Sequence, residues 1–125
     1  MTVLPDSFPI VHAKMTLLPE TKSRKFLRDG IYRPHIVIGP TSQRIAITDG
    51  NVGLEHYLGV CFVGGPETIE PGQTAGVSFV LIYFPVEPYE AVVSGATFTL
   101  REGSTVVGFG TVLEVIQPIA QAQGT

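Results

Sequence analysis

Between Arg101 and Val112 the chain reads Arg-Glu-Gly-Ser-Thr-Val-Val-Gly-Phe-Gly-Thr-Val, and a stretch of this kind leaves few folds open. A β-prone run from Ala96 to Arg101 meets a longer one, Thr105 to Ile116. Glu102-Gly103 stands between them as a two-residue loop, so the two runs are expected to pair as a tight antiparallel hairpin. Glycine at the second loop position accommodates the positive φ that such a turn demands. Gly108 and Gly110 are two positions apart and share one face of their strand. Side chains missing there predict a bend, a bulge or the close approach of another backbone.

The rest of the chain repeats strand signals. No long stretch places apolar residues at three- and four-residue spacing, so helices are not expected. Candidate strands run from Val11 to Leu18, Tyr32 to Ile38, Arg44 to Thr48, Tyr57 to Val63 and Val77 to Phe84. The segment from Thr21 to Gly30 is polar and basic and reads as a loop or hairpin arm. Asp49-Gly50 and Glu70-Pro71-Gly72-Gln73 are turn signals, the second with Pro and Gly where a type II turn wants them. Pro85 and Pro88 break the chain before the final hairpin. Val77 to Phe84 is apolar on both faces. Such a strand is either covered twice or presents one face, here Val80, Ile82 and Phe84, to a partner. Gly and Pro supply 24 of the 125 residues, as many turns between short strands would. Together these signals predict an all-β single domain, a six- to seven-stranded closed antiparallel barrel over residues 11–116 with flexible tails at 1–10 and 117–125.

Charge is unevenly spread along the chain. The net charge is −3, yet residues 1–44 carry seven of the eight Lys/Arg and three of the eleven acids, about +4. Residues 45–125 carry Arg101 alone against eight acids, about −7. Lys22, Arg24, Lys25, Arg28 and Arg33 fall within twelve positions. A solvated loop accounts for such a run; a docking patch for an acidic partner, protein or RNA, is the sharper reading. Cys61 is the sole cysteine and lies in an apolar run, so it reads as a small buried hydrophobe without a disulfide partner. His12, His35 and His56 lack metal-ligand spacing. Glu87, Tyr89 and Glu90 read as solvated loop residues. The first ten residues lack a basic segment followed by an apolar core, and no apolar run is long enough to cross a bilayer as a helix. A cytoplasmic protein with no membrane partner is the expectation.

Several of these pieces resemble, in collinear order, the third domain of elongation factor Tu and its relatives. Gly30-Ile31-Tyr32-Arg33-Pro34-His35 is similar to the family's glycine-tyrosine-arginine-proline segment. The turn Glu70 to Gln73, the strand after it and the proline-broken link follow in family order, and the final hairpin is the most specific piece. The resemblance implies a six-stranded antiparallel barrel that packs on other domains and helps to hold the T-stem side of aminoacyl-tRNA. It carries three positions over as RNA or partner contacts: Arg33, and Glu102 and Gly103 at the hairpin tip. Ser104 and Thr105 stand where the family usually has glycine then arginine, and Gln73 stands where it has aspartate.

No Gly-x4-Gly-Lys-Ser/Thr loop occurs, so no nucleotide and no GTPase switch are expected. No Gly-x-Ser-x-Gly elbow and no acid–base constellation stands out. The reading is therefore a non-catalytic module without cofactor or metal. It binds a protein partner or a second copy; the alternative is an RNA-binding accessory of translation that uses Arg33, the 22–33 segment and the Glu102-Gly103 tip.

Overall fold

A computed structural model describes residues 8–46, 55–86 and 89–118. Within them the protein is all-β, with nine strands: β1 (Ile10–Leu17), β2 (Lys25–Phe26), β3 (His35–Ile38), β4 (Leu58–Gly59), β5 (Cys61–Gly64), β6 (Thr68–Ile69), β7 (Thr74–Val80), β8 (Thr97–Glu102) and β9 (Thr105–Ile116). No helix long and apolar enough to cross a membrane occurs among the described residues. Seven strands form one antiparallel sheet in the order β4-β3-β8-β9-β1-β7-β5, and β2 pairs with β6 as a separate ribbon. The large sheet curls into a half-barrel. Its two end strands, β4 and β5, are separated in the chain by Val60 alone.

Strand β1 shows why the sheet curls around a core. Val11, Ala13, Met15 and Leu17 are buried, whereas His12, Lys14 and Thr16 point outward. Its inner row packs with Phe62, Phe79 and Phe98, whose ring centroids are 5.2 and 5.9 Å apart in succession. Strand β9 is long enough to pair with β8 through its first half and with β1 along most of its length. Gly108 and Gly110 make that second pairing possible. A Cβ on Gly108 would lie 2.6 Å from the Thr16 carbonyl oxygen, and one on Gly110 would lie 2.5 Å from that of Lys14. Close backbone approach is thus what these glycines serve, and one of the two bulges of β9, at Val107 opposite Leu100/Arg101, adjoins Gly108; the other is at Leu113, opposite His12/Ala13.

Four expectations are corrected. The hairpin loop is Gly103-Ser104, because Glu102 pairs with Thr105 across the bulge at Leu100/Arg101. Gly103 supplies the positive φ (60°) at the first loop position, as a type II′ turn requires. The strand read at Val77 to Phe84 is Thr74–Val80. Beyond it the Leu81 amide bonds the Pro9 carbonyl, and Phe84 and Val86 donate back to Leu81 and Tyr83 in successive turns. Val80 is fully buried, so it cannot share an exposed strand face with Ile82 and Phe84, which are half-buried in those turns. Tyr89 is also buried: its hydroxyl donates to the Gly59 carbonyl at 2.7 Å and accepts from the Tyr83 amide at 3.1 Å. Arg44 to Ala46 is not a strand; the remainder of that predicted strand, and the Asp49-Gly50 turn, lie outside the described residues, as do Glu87 and Pro88. Gly72 has φ 88° in the turn after Glu70, as the sequence predicts.

Candidate partner-docking site

The basic segment from Lys22 to Arg33 is less available than its sequence suggests. Lys25 is turned inward: its ammonium lies 2.7 Å from the Glu102 carboxylate and over the Tyr32 ring. Tyr32 donates to the same carboxylate oxygen at 2.5 Å. Burial, aided by the bond to Glu102, pushes the Tyr32 hydroxyl far above its ordinary value, so it remains a donor. Burial pulls the Glu102 carboxyl upward, but the hydrogen bonds from Lys25 and Tyr32 outweigh it and hold that carboxyl below the usual range. Arg24 makes a loose, exposed ion pair with Glu70 at 3.7 Å. Arg28 donates to the Gly65 carbonyl and Arg33 to that of Gly30.

The predicted contacts therefore divide. Lys22, Lys25 and Glu102 come together along a groove of about 320 Å³ between the Glu20–Lys25 segment and the start of β9, with Gly103 at its hairpin end. Arg24 and Arg28 are tied instead to residues on or next to the β6 and β5 strands, and Arg33 folds back on its own turn. Glu102 is committed to holding Lys25 and Tyr32, which joins the basic segment to the hairpin.

A cluster that the sequence reading passed over lies on the outer face of β8. Arg101 has no exposed surface and is the largest fully buried side chain. Its guanidinium donates twice to the Glu55 carboxylate, at 3.2 and 3.1 Å, once to the Tyr57 hydroxyl at 2.9 Å and once to Thr99 Oγ1 at 2.9 Å. Gln43 also donates to Glu55. The segment after β3 is thereby fastened over the outer face of β3 and β8. The signal was present in the sequence: one arginine inside an apolar strand, in the acidic part of the chain, needs a buried acid as partner.

The opposite end of the half-barrel is apolar. A cleft of about 260 Å³ is lined by Leu81, Phe84, Tyr89, Val92, Val93 and Val115, among others, with Glu90 and Gln117 at its margin. Large apolar side chains are exposed in the segments that supply its lining: Val86 is 88% exposed, Leu113 56%, Val93 54% and Ile116 41%. Of these Val93 lines the cleft; Val86 follows the lining Pro85, Leu113 bonds through its carbonyl to Ser94, and Ile116 alternates with the lining Val115 and faces the other side of β9. Phe84 lines this surface; Val80 and Ile82 do not.

Cys61 is buried, with its thiol against the Gly30 carbonyl. Among the described residues no group of His, Cys, Asp or Glu is arranged to hold a metal ion. No protein-family model matches the chain, and no curated protein matches it.

Proposed function

We propose that this chain is a free-standing binding module of the elongation factor Tu third-domain type. In this reading it is non-catalytic and takes up a protein partner through the apolar cleft. The observation that carries it is the apolar lining of the cleft, formed by Leu81, Phe84, Val92, Val93 and Val115, with Val93 54% exposed. Scattered exposed hydrophobics need no explanation, but an apolar concavity is the kind of surface that a partner covers. The barrel assignment draws on the stretch from Leu58 to Gly64. It supplies both end strands of the sheet, and Val60 and Phe62 donate to the Pro34 and Tyr32 carbonyls beside it. One continuous stretch that supplies both edge strands supports a closed barrel, in which strands tilt and stagger so that the edges meet.

The experiment compares wild type with a Val93→Glu variant and with Lys22→Gln, in co-purification and in a sedimentation series. A protein or a second copy retained by wild type and by Lys22→Gln, and lost with Val93→Glu, is the expected result. A strict monomer with no cleft-dependent partner overturns the reading.

A further inference from the structure

The apolar cleft lies where the chain enters the sheet. Strand β1 is flanked by β7 on one side and β9 on the other, and its first residue, Ile10, pairs with both Val80 and Ile116. The walls of the cleft continue those two neighbours: Leu81 and Phe84 follow β7, and Val115 and Gln117 stand at the end of β9. Pro9 lines the cleft with them, and its carbonyl accepts from the Leu81 amide at 3.2 Å. The seven residues before Phe8, Met1-Thr2-Val3-Leu4-Pro5-Asp6-Ser7, lie outside the described residues and join them at this point. They carry three large apolar side chains, Met1, Val3 and Leu4, against one charged side chain, Asp6. The segment 119–125 also begins near the cleft, beyond Gln117, but Ile119 is its only large apolar residue.

We propose that the N-terminal segment folds back so that Val3 and Leu4 cap the cleft, in competition with the partner. Chain length permits it: Leu4 is five positions before Pro9, and extended backbone spans about 3.3–3.6 Å per residue, a reach of about 17 Å. The cleft, at about 260 Å³, is smaller than the roughly 300–1,000 Å³ of a small-molecule site and suits two or three aliphatic side chains. Its lining includes Glu90 and no cation, so Asp6 stays outside and the apolar end of the segment is the occupant. Pro5 and Pro9 lack amide donors, so continuation of β1 as a paired strand is disfavoured and a path across its end is favoured instead. A tethered segment acts at an effective concentration in the millimolar range, so modest contacts occupy the cleft until a tighter partner displaces them. The competition rests on the reading of the cleft as a partner site; the contact itself does not.

The test is methyl nuclear Overhauser spectroscopy on the full chain with labelled Val and Leu methyl groups. Cross-peaks from Val3 or Leu4 to Val92, Val93 or Val115 are expected. Leu4→Asp shifts the Val93 and Val115 resonances, and Ile119→Asp leaves them in place. In co-purification and sedimentation, Leu4→Asp raises the amount of retained partner or second copy by roughly twofold or more, because apparent affinity scales with the fraction of open cleft. Absence of the cross-peaks overturns the proposal. So do cleft resonances that respond to Ile119→Asp and not to Leu4→Asp, which would make 119–125 the occupant. Cross-peaks that fade on dilution would place the segment in the cleft of a second copy and overturn the fold-back. Unchanged partner retention with Leu4→Asp would refute the competition. Cross-peaks without any partner would uphold the cap and refute the partner reading; a cleft-dependent partner without cross-peaks would do the reverse. Leu4 precedes every described strand, so its variant remains folded and keeps the test decisive.

Discussion

Replacing Glu55 by Ala should be among the most damaging single changes outside the apolar core. The Arg101 guanidinium is completely buried, and the Glu55 side chain is only 6% exposed. The wild-type pair makes two parallel charge-assisted hydrogen bonds, at 3.2 and 3.1 Å. Without Glu55 the guanidinium keeps the Tyr57 hydroxyl and Thr99 Oγ1, both neutral acceptors, and its charge is left buried. Removing one partner of a buried pair costs about 3–5 kcal/mol, against a total stability of about 5–15 kcal/mol for a domain. Tyr57→Phe removes the bond accepted from Arg101 and a longer one, 3.4 Å, donated to Glu55, but leaves the charges paired, and should cost less, about 1.5–3 kcal/mol. The double variant Arg101→Met/Glu55→Leu removes both charges and should recover most of the loss. Urea unfolding followed by circular dichroism measures all three. The reasoning fails if Glu55→Ala costs under about 1 kcal/mol, the value of an exposed pair, or if the apolar double variant is no better than the single one.

Further consequences are as direct. Gly110→Ala would set a methyl group 2.5 Å from the Lys14 carbonyl oxygen and 2.7 Å from the Phe98 ring, so it should destabilise by roughly 1–3 kcal/mol or more in the same assay. Because the folded state lowers the Glu102 carboxyl, its contribution is present above the ordinary carboxylate range and is lost as pH falls through the folded value. The stability gap between wild type and Glu102→Gln should therefore be open at neutral pH and close in acid, below about pH 4; a gap independent of pH refutes the link to Lys25. Cys61 is fully buried, so its thiol should react with a disulfide reagent only at the rate of unfolding; rapid reaction in native buffer would contradict its placement.

Much of the architecture was legible because it rests on local rules. β1 alternates with period two, and the glycines of β9 mark a backbone crossing whatever their neighbours. Errors arose where a distant contact overrides local preference. The strand after Thr74 ends at Val80 because Leu81 is taken by Pro9 and the Tyr89 hydroxyl holds the turn, a contact between residues that look like an exposed proline-rich link. The hairpin loop lies one residue later because Glu102 pairs with Thr105; the bulge behind it, at Val107, adjoins Gly108, whose missing side chain marks it in the sequence without fixing the register of the turn. The candidate sites were less legible still. Lys25 appeared as one member of a basic run, but its partner Glu102 is 77 positions away in the chain and adjacent only in the fold. Phe84 alone of the three apolar positions singled out lines the cleft, because the surface is assembled from turns and the end of β9 and not from one strand face.

The most direct test of the account is the partner dependence of the cleft. Co-purification and sedimentation of wild type beside Val93→Glu measure it, with circular dichroism to show that the variant is folded. The account predicts an association present in wild type, abolished by the charge and untouched by Lys22→Gln. Identical behaviour of wild type and Val93→Glu would contradict it.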